Sequence, residues 1–528
     1  MISIRDVLVV GYALSRIVKI IAVLLLLPIP VAVIYQEWSV IGDFVMAASL
    51  SYSLALIMQI FFYTEDDVKF KHAMVVSAFI WIFGSFLAGL PLWISGTVNT
   101  PLDATFDGMS AWTTTGLTMI PDVDHVSYTV NFWRHLTQFV GGAGIVVFAL
   151  ALLTRSVAGA VRLYSAEGRE EKIFPSITKT AKAILGICLV YLLFGSLALS
   201  AVAVYEGMPL GAALFDGVMT SMAGFSTGGF STHSQSILFY HSTIYELVAV
   251  ILFVAGSFNF TLHFAVLTGN RTELKKNIEI LTFSITLIAL TIIIMSFLLY
   301  FNVYSDYVIL FKKGFFQLIS GHTTTGFQSV NSIQMAREWP YITLFAVTVS
   351  MILGACSSST AGGIKALRVG LIIKMFIYEI KRVVLPESAV IVEKYHHIHP
   401  ATLSNRTARG ALLIAIGYII LFTLGSLITM FYGYSMIEAM FETASAVANT
   451  GLSVGIANYQ APPVIKITYL FLMWMGRLEI IAVFVLVGVS YLALKRAMRL
   501  SIEMYRAGEK VKDKVVDVGR KLEKPLRK

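Results

Sequence analysis

Charge is scarce in this 528-residue chain: 13% of residues are Asp, Glu, Lys or Arg, while 57% are hydrophobic. A soluble domain carries about 25% charged residues, so a surface facing water all round is excluded and the chain lives in a bilayer. Cysteine is nearly absent as well. Cys188 and Cys356 both lie in apolar runs, which excludes a disulfide framework. No Gly-rich phosphate loop or nucleophile elbow occurs, and His135, His263 and His322 show no metal-ligand spacing. A membrane enzyme would need His, Asp or Glu converging in the spans, and none is seen. The chain therefore reads as a non-enzyme with no organic cofactor. A cleavable signal is also missing, because the first apolar run is long enough to span and reads as a retained helix.

What is present is a series of long apolar runs. Runs of about 20 residues or more fall near 10–35, 39–62, 73–95, 132–154, 181–205, 243–268, 278–301, 339–375, 410–432 and 463–494. Ten membrane spans are expected. Four shorter segments, near 102–115, 213–227, 312–325 and 437–450, are too short to span. They read as re-entrant helices that enter the membrane and turn back, which non-helical backbone tolerates only where protein buries it or water lines it.

Each short segment ends in Thr-Gly. The four motifs are Trp112-Thr113-Thr114-Thr115-Gly116, Phe225-Ser226-Thr227-Gly228, His322-Thr323-Thr324-Thr325-Gly326 and Ala448-Asn449-Thr450-Gly451. A Thr-Gly dipeptide alone is a weak signal, but its lead-in repeats. Thirteen residues before Gly116, Gly326 and Gly451 stand Asp103, Lys313 and Glu438, and twelve before Gly228 stands Asp216. Phe106, Phe316 and Phe441 follow three residues later, with Met219 in the second copy. Fixed spacing within a fixed hydropathy context marks an internal repeat. The expected organisation is two extra N-terminal transmembrane helices (1–70) and four same-sense repeats at 71–160, 161–272, 273–385 and 386–495. A basic tail follows at 496–528, read as a helix lying against anionic headgroups.

Lys and Arg set the topology. The motif-bearing segments 96–133 and 207–243 contain neither residue. The alternate connections hold Arg155, Arg162, Arg169, Lys172, Lys179 and Lys182, then Arg271, Lys275 and Lys276, then Lys381, Arg382, Lys394, Arg406 and Arg409. Basic loops mark the cytoplasmic side, so both termini are expected inside and the four motifs open outward. The net charge of +9 is thus read as membrane topology, with no nucleic-acid partner. Lys312, Lys313, Arg337 and Lys466 depart from the rule.

Four loops facing one way imply pseudo-fourfold symmetry about a central axis. Backbone carbonyls at such a ring can replace an ion's hydration shell, and the C-terminus of each short helix adds negative potential that favours a cation. The four motifs contain no Asp or Glu, which argues for a weakly hydrated monovalent cation over a divalent one. A secondary solute transporter would show inverted repeats and an intramembrane carboxylate, and these repeats run in the same sense.

With these motifs in view, the chain resembles the TrkH/KtrB branch of the superfamily of K+ transporters, in its Trk type with two additional N-terminal helices. The resemblance covers about residues 1–495. It rests on the four loops, on Gly224–His233 and Gly256–Phe264, on Gly354–Lys365, and on Gly476-Arg477-Leu478-Glu479. It implies an all-α polytopic fold and gated K+ uptake through a filter. The filter residues would be Thr114, Thr115, Gly116, Thr227, Gly228, Thr324, Thr325, Gly326, Asn449, Thr450 and Gly451. Glycine at every filter position goes in this family with K+ over Na+, though an Na+-permeable or H+- or Na+-coupled symporter of the same fold stays open.

The eighth run is interrupted by Gly354, Ala355, Cys356, Ser357, Ser358, Ser359, Thr360, Ala361, Gly362 and Gly363. By sequence alone this is a helix break or a kink; by resemblance it is the intramembrane loop that closes the pore below the filter. Arg477 is the one arginine deep in the last span, where charge is costly. It either pairs with Glu479 or, as the resemblance implies, projects into the pore as a barrier to cations. Gly141-Gly142-Ala143-Gly144 reads as close helix packing, and Lys365 and Arg368 as groups at a cytoplasmic helix end touching headgroups or a partner. The resemblance further implies a homodimer in the cell membrane of a prokaryote, among membrane lipids, regulated by a cytosolic nucleotide-binding subunit.

Overall fold

Long helices follow directly from this composition. Apolar side chains leave the backbone with no partner but itself in hydrocarbon, and short polar residues at the helix starts satisfy the first free N–H groups. Ser127, Ser176, Ser242, Ser404 and Ser435 each accept from the backbone N–H three residues on, and Ser435 completes a capping box with Glu438. The computed structural model describes residues 4–152, 160–166, 171 and 173–491, with a few isolated positions beyond. The basic tail and the basic residues Arg155, Arg169 and Lys172 lie outside the described residues.

Among the described residues, six helices are long and apolar enough to cross a membrane: Ile4–Ile34, Trp38–Phe61, Phe70–Ile94, Ile177–Tyr205, Ile278–Tyr300 and Asn405–Phe431. Three further runs, expected to be continuous, are broken instead. Tyr128–Ala143 turns by 86° into Ile145–Ala151, Thr243–Gly256 by 102° into Phe260–Leu267, and Pro463–Arg477 by 107° into Ile481–Tyr491. The breaks have local causes. Gly144 adopts φ +96°, Asn259 caps the restarted helix through Thr261 N–H, and Glu479 and Ile480 both take positive φ. The eighth run consists of Tyr341–Ile352 and Ala366–Val384 with residues 353–365 between them.

The four short segments are helices as expected: Pro101–Trp112, Leu210–Phe225, Tyr307–His322 and Met436–Val447. Each is bracketed by a long helix and a broken one, and each packs its last turn on the broken helix behind it. Three of those contacts need glycine. A Cβ on Gly141, Gly256 or Gly476 would overlap the carbonyl oxygen of Trp112, Phe225 or Val447. The close-packing expectation for Gly141 thus generalises to a repeated contact. Among the described residues the one sheet is a hairpin, Lys394–His397 against His399–Thr402, antiparallel with His397 facing His399.

Lys466, an exception to the charge rule, is explained by burial. Its Nζ lies 2.6 Å from Asp103 Oδ1 and 2.7 Å from the Tyr459 carbonyl, joining the helix Pro463–Arg477 to the first short helix. Lys312 pairs with Glu246 at 3.3 Å, and Lys313 donates to the Ser329 carbonyl. Removing one partner of a buried pair strands the other at a cost of about 3–5 kcal/mol. Lys466→Met is therefore expected to lower the thermal unfolding midpoint in detergent, and Lys466→Met with Asp103→Asn to recover most of the loss.

Candidate functional site

The turn that ends each short helix is built the same way four times. Thr114, Thr227, Thr324 and Asn449 take left-handed φ of 56°, 50°, 53° and 55°. The next residue (Thr115, Gly228, Thr325 or Thr450) returns its N–H to a helix carbonyl at 2.8 Å, from Ser110, Ala223, Ser320 and Ser445 in turn. Then comes a glycine with φ of +92° (Gly116), +73° (Gly229), +90° (Gly326) or +93° (Gly451). The second loop thus reads Thr227-Gly228-Gly229, one residue out of step with the Thr-Gly dipeptide. Gly228 holds the place of the other loops' threonine, and Gly229 is the positive-φ glycine. A Gly-Gly pair hides its register in sequence because either residue satisfies the dipeptide. With Gly229 as reference, Asp216 stands thirteen residues ahead, as in the other three copies.

These loops close on one another. A Cβ on Gly116 would overlap the Gly228 carbonyl oxygen, one on Gly229 that of Thr325, one on Gly326 that of Thr450, and one on Gly451 that of Thr115. Contact therefore runs from first loop to second, third and fourth and back to the first, in chain order. A side chain fits at none of the four glycines. The ring is tied from outside too: Gln138 Nε2 donates to the Gly228 carbonyl at 2.6 Å, and Asn449 Nδ2 donates to Thr115 Oγ1 at 3.1 Å. Thr114, Thr115, Thr227, Thr324, Thr325, Asn449 and Thr450 are fully buried. The result is an interlocked set of backbone oxygens with the negative ends of four helix dipoles behind it.

Residues 353–365 lie against the level at which the short helices end. Thr360 Oγ1 meets the carbonyls of Gly256 (2.8 Å) and Phe225 (3.2 Å) and the Thr227 hydroxyl (3.0 Å). Gly362 N–H donates to Thr324 Oγ1 at 2.7 Å, and a Cβ on Gly362 would overlap the Ala448 carbonyl. Cys356 N–H donates to the Ser257 carbonyl at 3.1 Å. The segment thus touches the second, third and fourth loops. It is more than a kink: 13 residues without helix, fixed by side chains and glycine contacts to three repeats.

Arg477 joins this segment to the first loop. Its Nη1 donates to the Thr360 carbonyl at 2.8 Å and to Thr114 Oγ1 at 3.2 Å, its Nη2 to the Gly141 carbonyl at 2.6 Å, and the guanidinium sits 5.5 Å from the Trp81 ring. The alternative pairing with Glu479 is not formed, because Glu479 bonds Arg368. Lys365 and Arg368, expected at a cytoplasmic helix end touching headgroups or a partner, bond within the chain: Lys365 is buried and donates to the Ala361 carbonyl, and Arg368 donates to Glu479.

On the face away from the ring, a cavity of about 610 Å³ is lined by Glu171, Ser357, Lys365, Arg368, His397 and Glu479 among others. There Glu279 Oε1 accepts from Ser357 N–H at 2.6 Å, and Glu171 accepts from Asn259 Nδ2 at 2.7 Å and lies 3.5 Å from Ser357 Oγ. His397 Nε2 reaches Glu279 at 3.1 Å and Glu171 at 3.3 Å. The hairpin is thereby linked to the unwound segment through two carboxylates. Burial works against a charge on His397, but the close approach of Glu279 and the fields of Glu279 and Glu171 prevail, and its pKa is raised from 6.5.

Sequence reasoning missed Gln138, Glu279 and His397, whose partners are remote in the chain and leave no spacing to read. It also missed Asp107, Gln317 and Glu442. Those had a legible signal, since each stands nine residues before a ring glycine.

Comparison with known proteins places these features in context. Residues 44–491 match the model of the TrkH family, described as a cation transport protein. An uncharacterized cation transporter of Methanocaldococcus jannaschii is 31% identical over 94% of this chain and 98% of its own length. The Trk system potassium uptake proteins TrkH of Halomonas elongata and of Escherichia coli K12 are each 30% identical, over 80% of this chain and 86% of theirs. The crystal structure of the potassium transporter TrkH from Vibrio parahaemolyticus is similar with a TM-score of 0.78 and 25% identity, covering 92% of this chain and 98% of that one.

Gly326 and Gly455 separate the two roles of a positive-φ glycine. Both have φ near +90° to +99°, but only Gly326 faces a carbonyl, and nothing lies near Gly455. The left-handed backbone alone costs about 1–2 kcal/mol for alanine. Gly326→Ala is expected to unfold at a distinctly lower temperature than Gly455→Ala, measured by differential scanning fluorimetry in detergent.

Proposed function

Because the chain belongs to the TrkH family of cation transport proteins, we propose that it carries potassium into the cell through the ring formed by Gly116, Gly229, Gly326 and Gly451. The observation that carries this reading is the closed ring of four loops, which offers backbone oxygens and no carboxylate to an ion. Thr115, Gly228, Thr325 and Thr450 supply the carbonyls at the ring's contacts, with Thr114, Thr227, Thr324 and Asn449 supporting the turn beneath. Such a site suits a monovalent cation that sheds its water readily. One layer of this kind gives modest discrimination, with K+ and Rb+ ahead of Na+.

Control lies below the ring. Residues 354–363 close the path, and Arg477 both holds them and opposes a cation with its own charge. The charge distribution supports a protein with its ring mouth outward and both termini inside, and the repeat boundaries at 71–160, 161–272, 273–385 and 386–495 follow from the loop register. The membrane potential supplies about 2.3 kcal/mol per charge per 100 mV, enough for uptake without ion coupling. A second copy of the chain and a cytosolic nucleotide-binding subunit, acting through the connections at 155–182 and 381–409, complete the assembly.

Rb+ flux into proteoliposomes tests the reading. Arg477→Ala is expected to raise flux severalfold at equal protein content, since it removes a positive charge and three hydrogen bonds from the path. Na+ flux equal to K+ flux under matched gradients, or an unchanged Arg477→Ala rate, overturns it.

The hairpin gives the gate a pH dependence. His397 has a raised pKa, so its charged contacts with Glu279 and Glu171 are fully present below the ordinary histidine value of 6.5. They are lost as pH on that face rises through the raised value. Flux is expected to increase over that alkaline rise in wild-type protein and to be flat with pH in His397→Ala.

A further inference from the structure

The ring is braced from behind, and the braces differ among the four loops. Counting from the ring glycine, the side chain nine residues earlier takes the backbone N–H three residues later in three copies. Asp107 accepts from Met119 N–H at 2.7 Å, Gln317 from Ser329 N–H at 3.0 Å, and Glu442 from Val454 N–H at 2.9 Å. Both carboxylates also take the hydroxyl two residues past the glycine, Thr118 at 2.7 Å and Ser453 at 2.6 Å, and Glu442 takes Ala457 N–H at 2.9 Å. Each brace spans the filter turn and fixes the chain on its far side. All three side chains are buried.

The second copy has Thr220 in this place, and its hydroxyl is engaged by Tyr245 at 3.0 Å. Its loop is held by other means: Gln138 grips Gly228 O and accepts from Phe230 N–H at 3.3 Å, while Asp216 takes Thr232 Oγ1 at 2.9 Å.

We propose that Asp107, Gln317 and Glu442 are positioning residues for ion selection: they hold the chain beyond each ring glycine so that the carbonyls cannot close inward around a smaller ion. The inference rests on the pore reading above and adds residues that touch no ion. Its physical basis is that backbone oxygens on a loose loop follow the ion, whereas oxygens on a loop tied at both ends keep their spacing. A ring discriminates by size only to the extent that its oxygens resist rearrangement. The brace needs an acceptor and does not need a charge, because Gln317 serves in the third copy. Glu442 shows this from the other side: among the described residues no Lys or Arg lies within ion-pair distance of it, and its bonds run to neutral donors.

The test is the ratio of Na+ to Rb+ flux in proteoliposomes holding the full-length protein. Glu442→Ala is expected to raise that ratio about tenfold, the equivalent of one ordinary hydrogen bond. Glu442→Gln, which keeps one acceptor oxygen for the Val454 N–H but sets its NH2 against the Ala457 N–H, is expected to raise the ratio clearly less than Glu442→Ala, which a purely electrostatic role would not allow. Ser453→Ala and Thr118→Ala, which delete a hydroxyl donor to a brace without touching the short helices (Thr118 also accepts from Arg134 at 3.2 Å), are expected to give smaller rises and serve if Glu442→Ala does not fold. A Rb+-selective wild type whose ratio is unmoved by Glu442→Ala, Ser453→Ala and Thr118→Ala overturns the inference and leaves the pore reading standing. A ratio that rises equally in Glu442→Gln and Glu442→Ala also overturns it, in favour of charge. A wild type with no preference for Rb+ overturns the pore reading, and the inference falls with it.

Discussion

In hydrocarbon a peptide group must find its partner within the protein, and an unsatisfied one costs several kcal/mol. The centre of this molecule is where that demand is hardest to meet. Four helices stop there, three others bend there, and 13 residues run without helix between Ile352 and Ala366. The exposed N–H and C=O groups are absorbed by turns closing on their own helices, by Thr and Ser hydroxyls, by Asn449 and Gln138, and by Arg477. Glycine recurs for the same reason: at Gly141, Gly256 and Gly476 only a missing Cβ lets one backbone press on another.

The same constraint explains why the site reads as one object. The ring, the unwound segment and Arg477 share atoms: Thr360 bonds Thr227, Thr324 bonds Gly362, and Arg477 bonds both Thr114 and Thr360. Displacing residues 354–363 therefore means replacing hydrogen bonds to the ring's own supports. The ring and the unwound segment draw on a common set of threonines. The link from His397 through Glu279 to Ser357 extends that set to the hairpin outside the spans.

Much of this was legible in the chain. Hydropathy located six unbroken membrane-length helices and the four short ones, because an apolar run of fixed length has few alternatives in a membrane, while four of the ten expected spans are broken. The Thr-Gly motifs gave three loop registers correctly, since there only one residue could take φ near +90°. The second loop slipped by one because Gly228 and Gly229 are chemically alike, and only the backbone tells them apart. The breaks near Gly144, Asn259 and Glu479 were not legible: Gly144 sat in a cluster that already had a packing explanation, and nothing about Ile480 announces positive φ. Arg477 stood out by its depth, but its partners are 117 and 363 residues away, and Glu479 beside it was the nearer and wrong candidate.

The last joint of the ring has a consequence for how the protein is made. Asn449 bonds Thr115 across 334 residues of sequence, and Gly451 packs on the Thr115 carbonyl. Three of the four contacts form between neighbours in the chain, but this one waits for the final repeat. Contacts of such long range are late in assembly, and chains are delivered N-terminus first. A partly synthesised molecule thus holds an open arc of loops, with Arg477 not yet present to brace the segment beneath. The contact that closes the ring and the arginine that ties it to residues 354–363 arrive with the same stretch of polypeptide, so closure of the ring and its fastening to that segment belong to one late step of assembly.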